Sequence, residues 1–332
     1  MASQPKLLLP KDYIKTAVKL VNNAKHRIGL VSLSLFRDQS TNDLIDAIIC
    51  AAKRGIDVHV AADFVTFIYA QKHPILSLAF LLGTDNRTAD HIRREFREAG
   101  AHFTWLGRYN VPIFTGRTHS KWFIVDDTVF TFGGVNTEDI AITKQADYMF
   151  RVNDPVLASQ LWREQLHIER TERYPERRRN RVVRLSYGTL LIDNGKLADS
   201  IIYKRALALA KQASSAILVS QYCPSGKLGR LIQAMDSEIY FNYKNLTKDK
   251  LNQLLIGSKK LLMGVHNCYR RNRYIHAKFI IFTMPNGQQV AITGSHNFTT
   301  AGSMLGTREI ALETNNPSII RQLKAFLDKE IK

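Results

Sequence analysis

Apolar and polar residues are grouped along the chain in a way that predicts a regular exchange of strands and helices. The run "RIGLVSLSLF" (27–36) has the short apolar character of a buried strand. In "NDLIDAIICAAKRG" (42–55) the apolar positions recur at helical spacing, with Asn42 as the expected N-cap and Gly55 as the stop. "IDVHVAAD" (56–63) predicts a second strand, "ADHIRREFREAG" (89–100) a helix closed by glycine, and "AHFTWL" (101–106) a third strand. This alternation points to an α/β fold with a largely parallel sheet. "THSKWFIVDD" (118–127) reads as a further strand, yet it carries His119 and Lys121 before its apolar run. Side chains two apart on a strand share a face, so the pattern sets an imidazole beside an ammonium.

The second half starts the pattern again. "KLADSIIYKRALALAKQA" (196–213) is helical, and "SAILVSQYC" (215–223) and "KLLMGVH" (260–266) read as strands. "YIHAKFIIF" (274–282) then repeats the spacing with His276 and Lys278. Gly133, Gly134 and Asn136 follow the first pair; Gly294, Ser295 and Asn297 follow the second. The second interval is longer because "TMPNGQQ" (283–289) inserts a Pro-Asn-Gly turn where the first copy turns at Asp126-Asp127. Asp147 and Glu309 come next, each eight residues before a proline, Pro155 or Pro317, that opens a helical pattern. So many matched features indicate an internal duplication with a period of about 160 residues. The expected division is a first lobe over 1–168, a basic linker over 169–185 and a second lobe over 186–332.

Composition narrows the class of partner. The chain has 332 residues, 45% hydrophobic, which suits packed domains rather than disorder. Its net charge of +18 favours a polyanion: nucleic acid, an anionic membrane surface or a phosphorylated substrate. The stretch 169–185 holds seven arginines and reads as a solvated linker, a phosphate contact, or both. Within it Arg177, Arg178, Arg179 and Arg181 are the candidate contacts to phosphate or membrane. Cys50, Cys223 and Cys268 form no disulfide framework and are expected as buried thiols of a reducing compartment. "MASQPKLLLPKDY" lacks the apolar length of a signal peptide, and no apolar run reaches the ~18 residues of a membrane span. "PILSLAFLLG" (74–83) predicts a buried helix or an interfacial segment that meets lipid tails.

If the two halves pack face to face, two histidines, two lysines, two asparagines and two acids converge on one cleft. Such a set suits attack on a phosphodiester. One neutral histidine would attack phosphorus, and the other would protonate the leaving oxygen. Lys121, Lys278, Asn136 and Asn297 would stabilise charge on the non-bridging oxygens. Asp147 and Glu309 would each hold an imidazole by its Nδ1–H. No cofactor is called for, and no metal ligands stand at the usual spacing. Asp126, at a tight turn, reads as structural, and Thr283 replaces it in the second copy.

The pattern His119-x-Lys121-x₄-Asp126-x₆-Gly133-Gly134-Val135-Asn136 resembles the His-Lys-Asp signature of the phospholipase D superfamily. The second copy is similar and departs at Thr283. The resemblance implies two pseudo-twofold-related α/β lobes, each a mixed sheet flanked by helices, with the site at their interface. It also implies His119 as nucleophile and His276 as acid/base. "GGVN", "DYMFRVNDPVLASQL" and "SQYCPSGKL" (220–228) look most like bacterial cardiolipin synthases and related phosphatidyltransferases. Many of those carry N-terminal membrane spans. The expectation here is a cytoplasmic protein with a phospholipid substrate, reaching the inner membrane face peripherally. A nuclease of the same superfamily is the alternative, favoured by the charge and the arginines at 177–184. A non-catalytic scaffold is disfavoured because every residue the chemistry needs is present twice.

Overall fold

The computed structural model describes residues 3–64, 66, 87–107, 116–174, 177–246, 253 and 265–332. The 74–83 segment and most of the strand expected at 260–266 lie outside them. In the first half the elements are β1 (Lys6–Leu8), α1 (Pro10–Asn22), β2 (Arg27–Ser32), α2 (Asn42–Lys53), β3 (Asp57–Asp63), α3 (Arg87–Glu98) and β4 (His102–Leu106). They continue with β5 (Trp122–Val125), β6 (Thr128–Thr131), α4 (Asp139–Thr143), β7 (Gln145–Ala146), β8 (Met149–Asn153) and α5 (Pro155–Arg170). The second half holds β9 (Arg181–Leu185), β10 (Gly188–Asn194), α6 (Ile201–Ala210), β11 (Ser215–Val219), α7 (Gly226–Ala234) and β12 (Asp236–Tyr240). It ends with β13 (Tyr274–Ile275), β14 (Phe279–Thr283), β15 (Gln289–Gly294), α8 (Thr300–Met304), β16 (Arg308–Thr314) and α9 (Pro317–Phe326).

Two seven-stranded sheets result, ordered β1-β8-β6-β5-β2-β3-β4 and β12-β11-β14-β15-β16-β10-β9. Read in reverse, the second order aligns β5 with β14, β6 with β15, β8 with β16, β2 with β11 and β3 with β12. Each shared pairing also has the same direction. β2–β3 and β11–β12 are parallel, while β2–β5, β11–β14, β5–β6, β14–β15, β6–β8 and β15–β16 are antiparallel. The duplication legible in the sequence is therefore a duplication of sheet topology. The largely parallel sheet is corrected to a mixed one. The turns at 126–127 and 284–288 are too short for a crossover, so they can join only antiparallel neighbours.

The elements end where local chemistry predicts. Asp154 accepts from the N–H groups of Val156 and Leu157 and opens α5 at Pro155. Asn316 does the same for Ser318 and Ile319 ahead of Pro317. At α2 the N-cap is Thr41 rather than Asn42, and its hydroxyl is taken by Phe36 O and Asp38 instead of the helix. Of the cysteines expected as buried thiols, only Cys223 is fully buried; Cys50 is exposed on α2 and Cys268 is half-buried.

One hydrophobic cluster spans both sheets. Trp122, Tyr148 and Phe150 from the first half pack with Phe279 and Phe326 from the second, all at most 4% exposed. Burying one such side chain contributes about 1.5–3 kcal/mol, so the shared cluster holds the halves together more strongly than any surface contact. The chain ends lock too: Leu7 N–H donates to Gln322 on α9, and Gln322 donates back to Pro5 O. The basic stretch joins the sheets over a shorter span than its charge suggested. Residues 169–170 finish α5, and 181–185 form the edge strand β9.

Candidate active site

Both His-x-Lys pairs lie just ahead of their strands, not within them. β5 starts at Trp122 and β14 at Phe279. The reason is that the backbone leaves its own sheet to bond with the other half. His119 and Ser120 N–H both donate to Arg308 O, at 2.8 and 2.9 Å. His276 and Ala277 N–H both donate to Ala146 O at 3.0 Å. Each accepting carbonyl belongs to the residue just before an acid, Glu309 or Asp147. The parallel pair β13–β7 and the bridge between Thr118 and Arg308 carry the same exchange.

The acids are therefore crossed. Asp147 Oδ2 lies 2.7 Å from His276 Nδ1, and Glu309 Oε1 lies 3.3 Å from His119 Nδ1. Asp147 is itself fixed by the N–H groups of Gly134 and Tyr148, and Glu309 by the hydroxyl of Ser295. With Nδ1 engaged, each imidazole leaves Nε2 for a substrate. Lys121 donates to His119 O at 2.8 Å, and Lys278 donates to His276 O. Both lysines are nearly inaccessible, at 2% and 1% exposed. Each ammonium is thus tied to the backbone of its own histidine. The Oδ1 atoms of Asn136 and Asn297 are buried without a hydrogen-bond partner. Buried amide oxygens in this condition are expected where a ligand completes the set.

Electrostatic coupling joins the six ionisable residues, His119, Lys121, Asp147, His276, Lys278 and Glu309, into one cluster. Burial lowers Lys278 to about 7, with Asp147 opposing and Lys121 adding to the fall. Burial also lowers Lys121, whose charge is supported by Glu309 and Asp147 from both halves. His276 is pushed down to about 4 by burial and by Lys278, against the pull of Asp147. Burial would raise Glu309, but the charge and hydrogen bond of His119 prevail and hold it at about 2. His119 is the more open histidine, its side chain 30% exposed against 8% for His276.

A pH dependence of folding follows. A free imidazole titrates near ~6.5, while folded His276 titrates near 4. Between these values the unfolded chain binds the extra proton, so stability is fullest above the upper value and is lost as pH falls toward the lower. In urea unfolding, wild type should fare worse than His276→Gln on going from pH 7 to pH 5, since the opposite slope from Asp193, raised to about 7 by burial, is common to both proteins. Glu309 contributes only in the more acidic window between its ordinary value and about 2. Equal losses in both proteins would remove His276 from the account.

The glycines are required by close approach. A Cβ on Gly133 would stand 1.8 Å from Tyr148 O, and one on Gly294 would stand 2.1 Å from Ile310 O. Gly134 could not carry a side chain either, because Asp147 and His276 O crowd the same space. Gly133→Ala and Gly294→Ala should each cost at least about 3 kcal/mol of stability, beyond the usual overpacking range because backbone has to move. Urea denaturation checks this, and a cost below 1 kcal/mol on that roughly 1–3 kcal/mol scale would contradict it. Asp126 sits at φ +53° and accepts from the N–H groups of Lys25, His26 and Arg27. Burial opposes its ionisation, but the three donors prevail and hold it below the carboxylate range. It binds the entrance to β2, away from the histidines.

Two features escaped the sequence. Arg308 is 1% exposed and donates to Glu172 and to Thr118 Oγ1, while Asp63 accepts from Arg117 and from Thr118 N–H. This buried ionic set braces the segment that carries His119, and its only sequence signal was Arg308 standing next to Glu309. The second is His296, buried, with Nδ1 accepting from Phe298 N–H and Nε2 left without a partner. The arginines behave differently from expectation. Arg178 is 4% exposed and reaches Gly195 O. Arg181 pairs with the buried Glu164 and with Gln160. Arg179 donates to Arg178 O, and Arg177 covers the Tyr174 ring. Arg178 is thus committed inside the fold, whereas Arg181 is paired with Glu164 and keeps its side chain 34% exposed.

Residues 17–168 match a family model described as a cardiolipin synthase, PLD-like domain. Among solved structures, the phosphatidylserine synthase of Haemophilus influenzae Rd KW20 is similar over 100% of this chain and 88% of its own, with a TM-score of 0.73 at 15% identity. The polyphosphate kinase of Porphyromonas gingivalis is similar over 98% of this chain and 50% of its own, with a TM-score of 0.62 at 13% identity. No curated protein sequence matches significantly. At such identities the structural likenesses establish the two-lobed fold. No described helix is long and apolar enough to cross a membrane.

Proposed function

We propose that the chain is a phospholipase D superfamily enzyme that cleaves a phospholipid phosphodiester through a covalent phosphohistidine. The observation that carries this reading is the crossed pair of acid-held histidines, His276–Asp147 and His119–Glu309, each with a buried lysine beside it. His119 Nε2 attacks phosphorus, and the bond to the leaving oxygen breaks as that oxygen takes a proton from His276 Nε2. Water or an alcohol then gives its proton to His276, attacks the same phosphorus and releases His119. Lys121, Lys278, Asn136 and Asn297 take up charge on the non-bridging oxygens.

His119 suits attack because it is the more open of the two. Burial first and Lys278 second hold His276 near 4 without substrate, so it carries the proton it donates only once an anionic phosphate raises that value. Lipid is favoured over nucleic acid by an apolar rim. Leu197, Met304 and Leu305 are 60%, 57% and 38% exposed. Leu305 O accepts from Gly116, three residues before His119, and Leu197 N lies against Gly306. An apolar rim beside a basic surface suits peripheral contact with an anionic membrane. The nuclease reading rests on the +18 charge and the arginines at 177–184, of which Arg178 is turned inside the fold.

Product analysis tests the reading. With phosphatidylglycerol vesicles, phosphatidic acid marks hydrolysis and diphosphatidylglycerol marks transfer; added glycerol should suppress net transfer by driving it backwards. Cleavage of single-stranded DNA with no lipid turnover would replace this proposal by the nuclease.

A further inference from the structure

We propose that the first lobe carries a second site, separate from the histidine pairs, that binds one divalent transition-metal ion through Asp57, His59 and His102. Strand register creates it. β3 and β4 are adjacent parallel strands in which His59 and His102 are register partners, and Asp57 lies two residues before His59 on the same face. One ligand atom from each residue lies within 4.8 Å of the others. His59 Nε2 is already 3.4 Å from Asp57 Oδ1. Two ligands on a tetrahedral ion with bonds of about 2.0–2.1 Å stand about 3.3 Å apart, so this pair needs almost no movement. His102 is exposed, with its ring stacked on His59 at 4.4 Å, so rotation about its own side chain can complete the set.

The surroundings are those of a ligand held in place. His59 is only 9% exposed, and its Nδ1 lies 2.7 Å from Glu169 Oε2. A carboxylate on one ring nitrogen turns the lone pair of the other toward a metal and raises its basicity. Glu169 is fixed in turn by Gln165 at 2.9 Å, and the edge of Trp162 walls the ring. Gln165 also bonds His59 O, Leu30 O and the indole N–H of Trp122. An ion-free role explains only part of this. A cationic His59 bridging Asp57 and Glu169 would satisfy three of the residues, but it leaves the cofacial His102 without a function. Two imidazoles and one carboxylate suit zinc and its neighbours rather than magnesium or calcium, which prefer all-oxygen shells. The site stands at the start of β3, whereas Asp63 at its end braces Thr118 beside His119. The ion therefore ties the edge strand β4 and α5 to the sheet and takes no part in phosphoryl chemistry.

Calorimetric titration of the chelator-stripped protein with ZnCl₂ tests this. One ion per chain is expected, with affinity lowered at least about tenfold by His102→Ala and about 10–100-fold by Glu169→Gln. His91→Ala, which removes an exposed histidine outside the cluster, should leave it unchanged. Cobalt loaded into wild type should give the intense visible bands of a four-coordinate site, a readout that needs no variant to fold. Binding that survives His102→Ala, weak octahedral cobalt bands, or no stoichiometric binding would each overturn the proposal and leave His59 as a structural cation.

Discussion

Replacing His119 or His276 with alanine should lower turnover by at least about 10⁴-fold, and the two variants should fail at different steps. The way to separate them is a substrate whose leaving group needs no proton, such as a p-nitrophenyl phosphodiester. His276→Ala lacks the acid for leaving and the base for water. With this substrate the first loss is bypassed and the second is not. His276→Ala should therefore release one nitrophenolate per chain in a burst and hold a covalent phosphoenzyme. His119→Ala should give neither burst nor adduct. The exposures favour this order, since His119 is the histidine that a bulky phosphodiester can approach. An adduct in His119→Ala and none in His276→Ala would reverse the two roles and keep the rest of the mechanism.

The crossed acids carry the second large effect. Asp147→Asn and Glu309→Gln should each slow turnover by about 10²–10⁴-fold, because the amide no longer holds the imidazole in its working tautomer. Their consequences should fall on the histidine of the opposite half. Glu309→Gln should slow the nitrophenolate burst, since His119 attacks in that step. Asp147→Asn should keep the burst and slow the steady state, since His276 works in the return step. Histidine nitrogen NMR gives a readout independent of rate: Asp147→Asn should shift the His276 tautomer and leave His119 alone. The crossing would be wrong if Asp147→Asn perturbed only His119. Stability should fall too, because each substitution breaks a buried charged contact, so both variants are to be compared well below their melting temperatures.

Much of this site could be read along the chain. The His-x-Lys spacing and the glycines after it are local, and Gly133 and Gly294 stand where a Cβ would strike the backbone at Tyr148 or Ile310. The tight turn set Asp126 apart from the histidines along the chain, and in the structure it accepts from three N–H groups of the chain entering β2. The strand register was less legible. An apolar run cannot report that His119 and Lys121 precede the ladder, because what stops the ladder is a carbonyl of Arg308 from the other half. The basic stretch misled for a related reason. Charge along a sequence suggests solvent, but Arg178 is buried against Gly195 O, and Arg181 is pinned by the buried Glu164. His59 and His102 were invisible as a pair because only the register of β3 with β4 makes them neighbours.

The sequence by itself determined the duplication, the residues proposed for the chemistry and the turns that space them, since periodicity and short-range sterics act within a few residues of chain. Only the tertiary structure decided which partner each residue has. His276 finds its acid 129 residues away in Asp147, and Arg308 finds Thr118 190 residues away. Those pairings come from two sheets packing across one apolar cluster. That packing depends on shape and buried area summed over the whole chain, which no local pattern records.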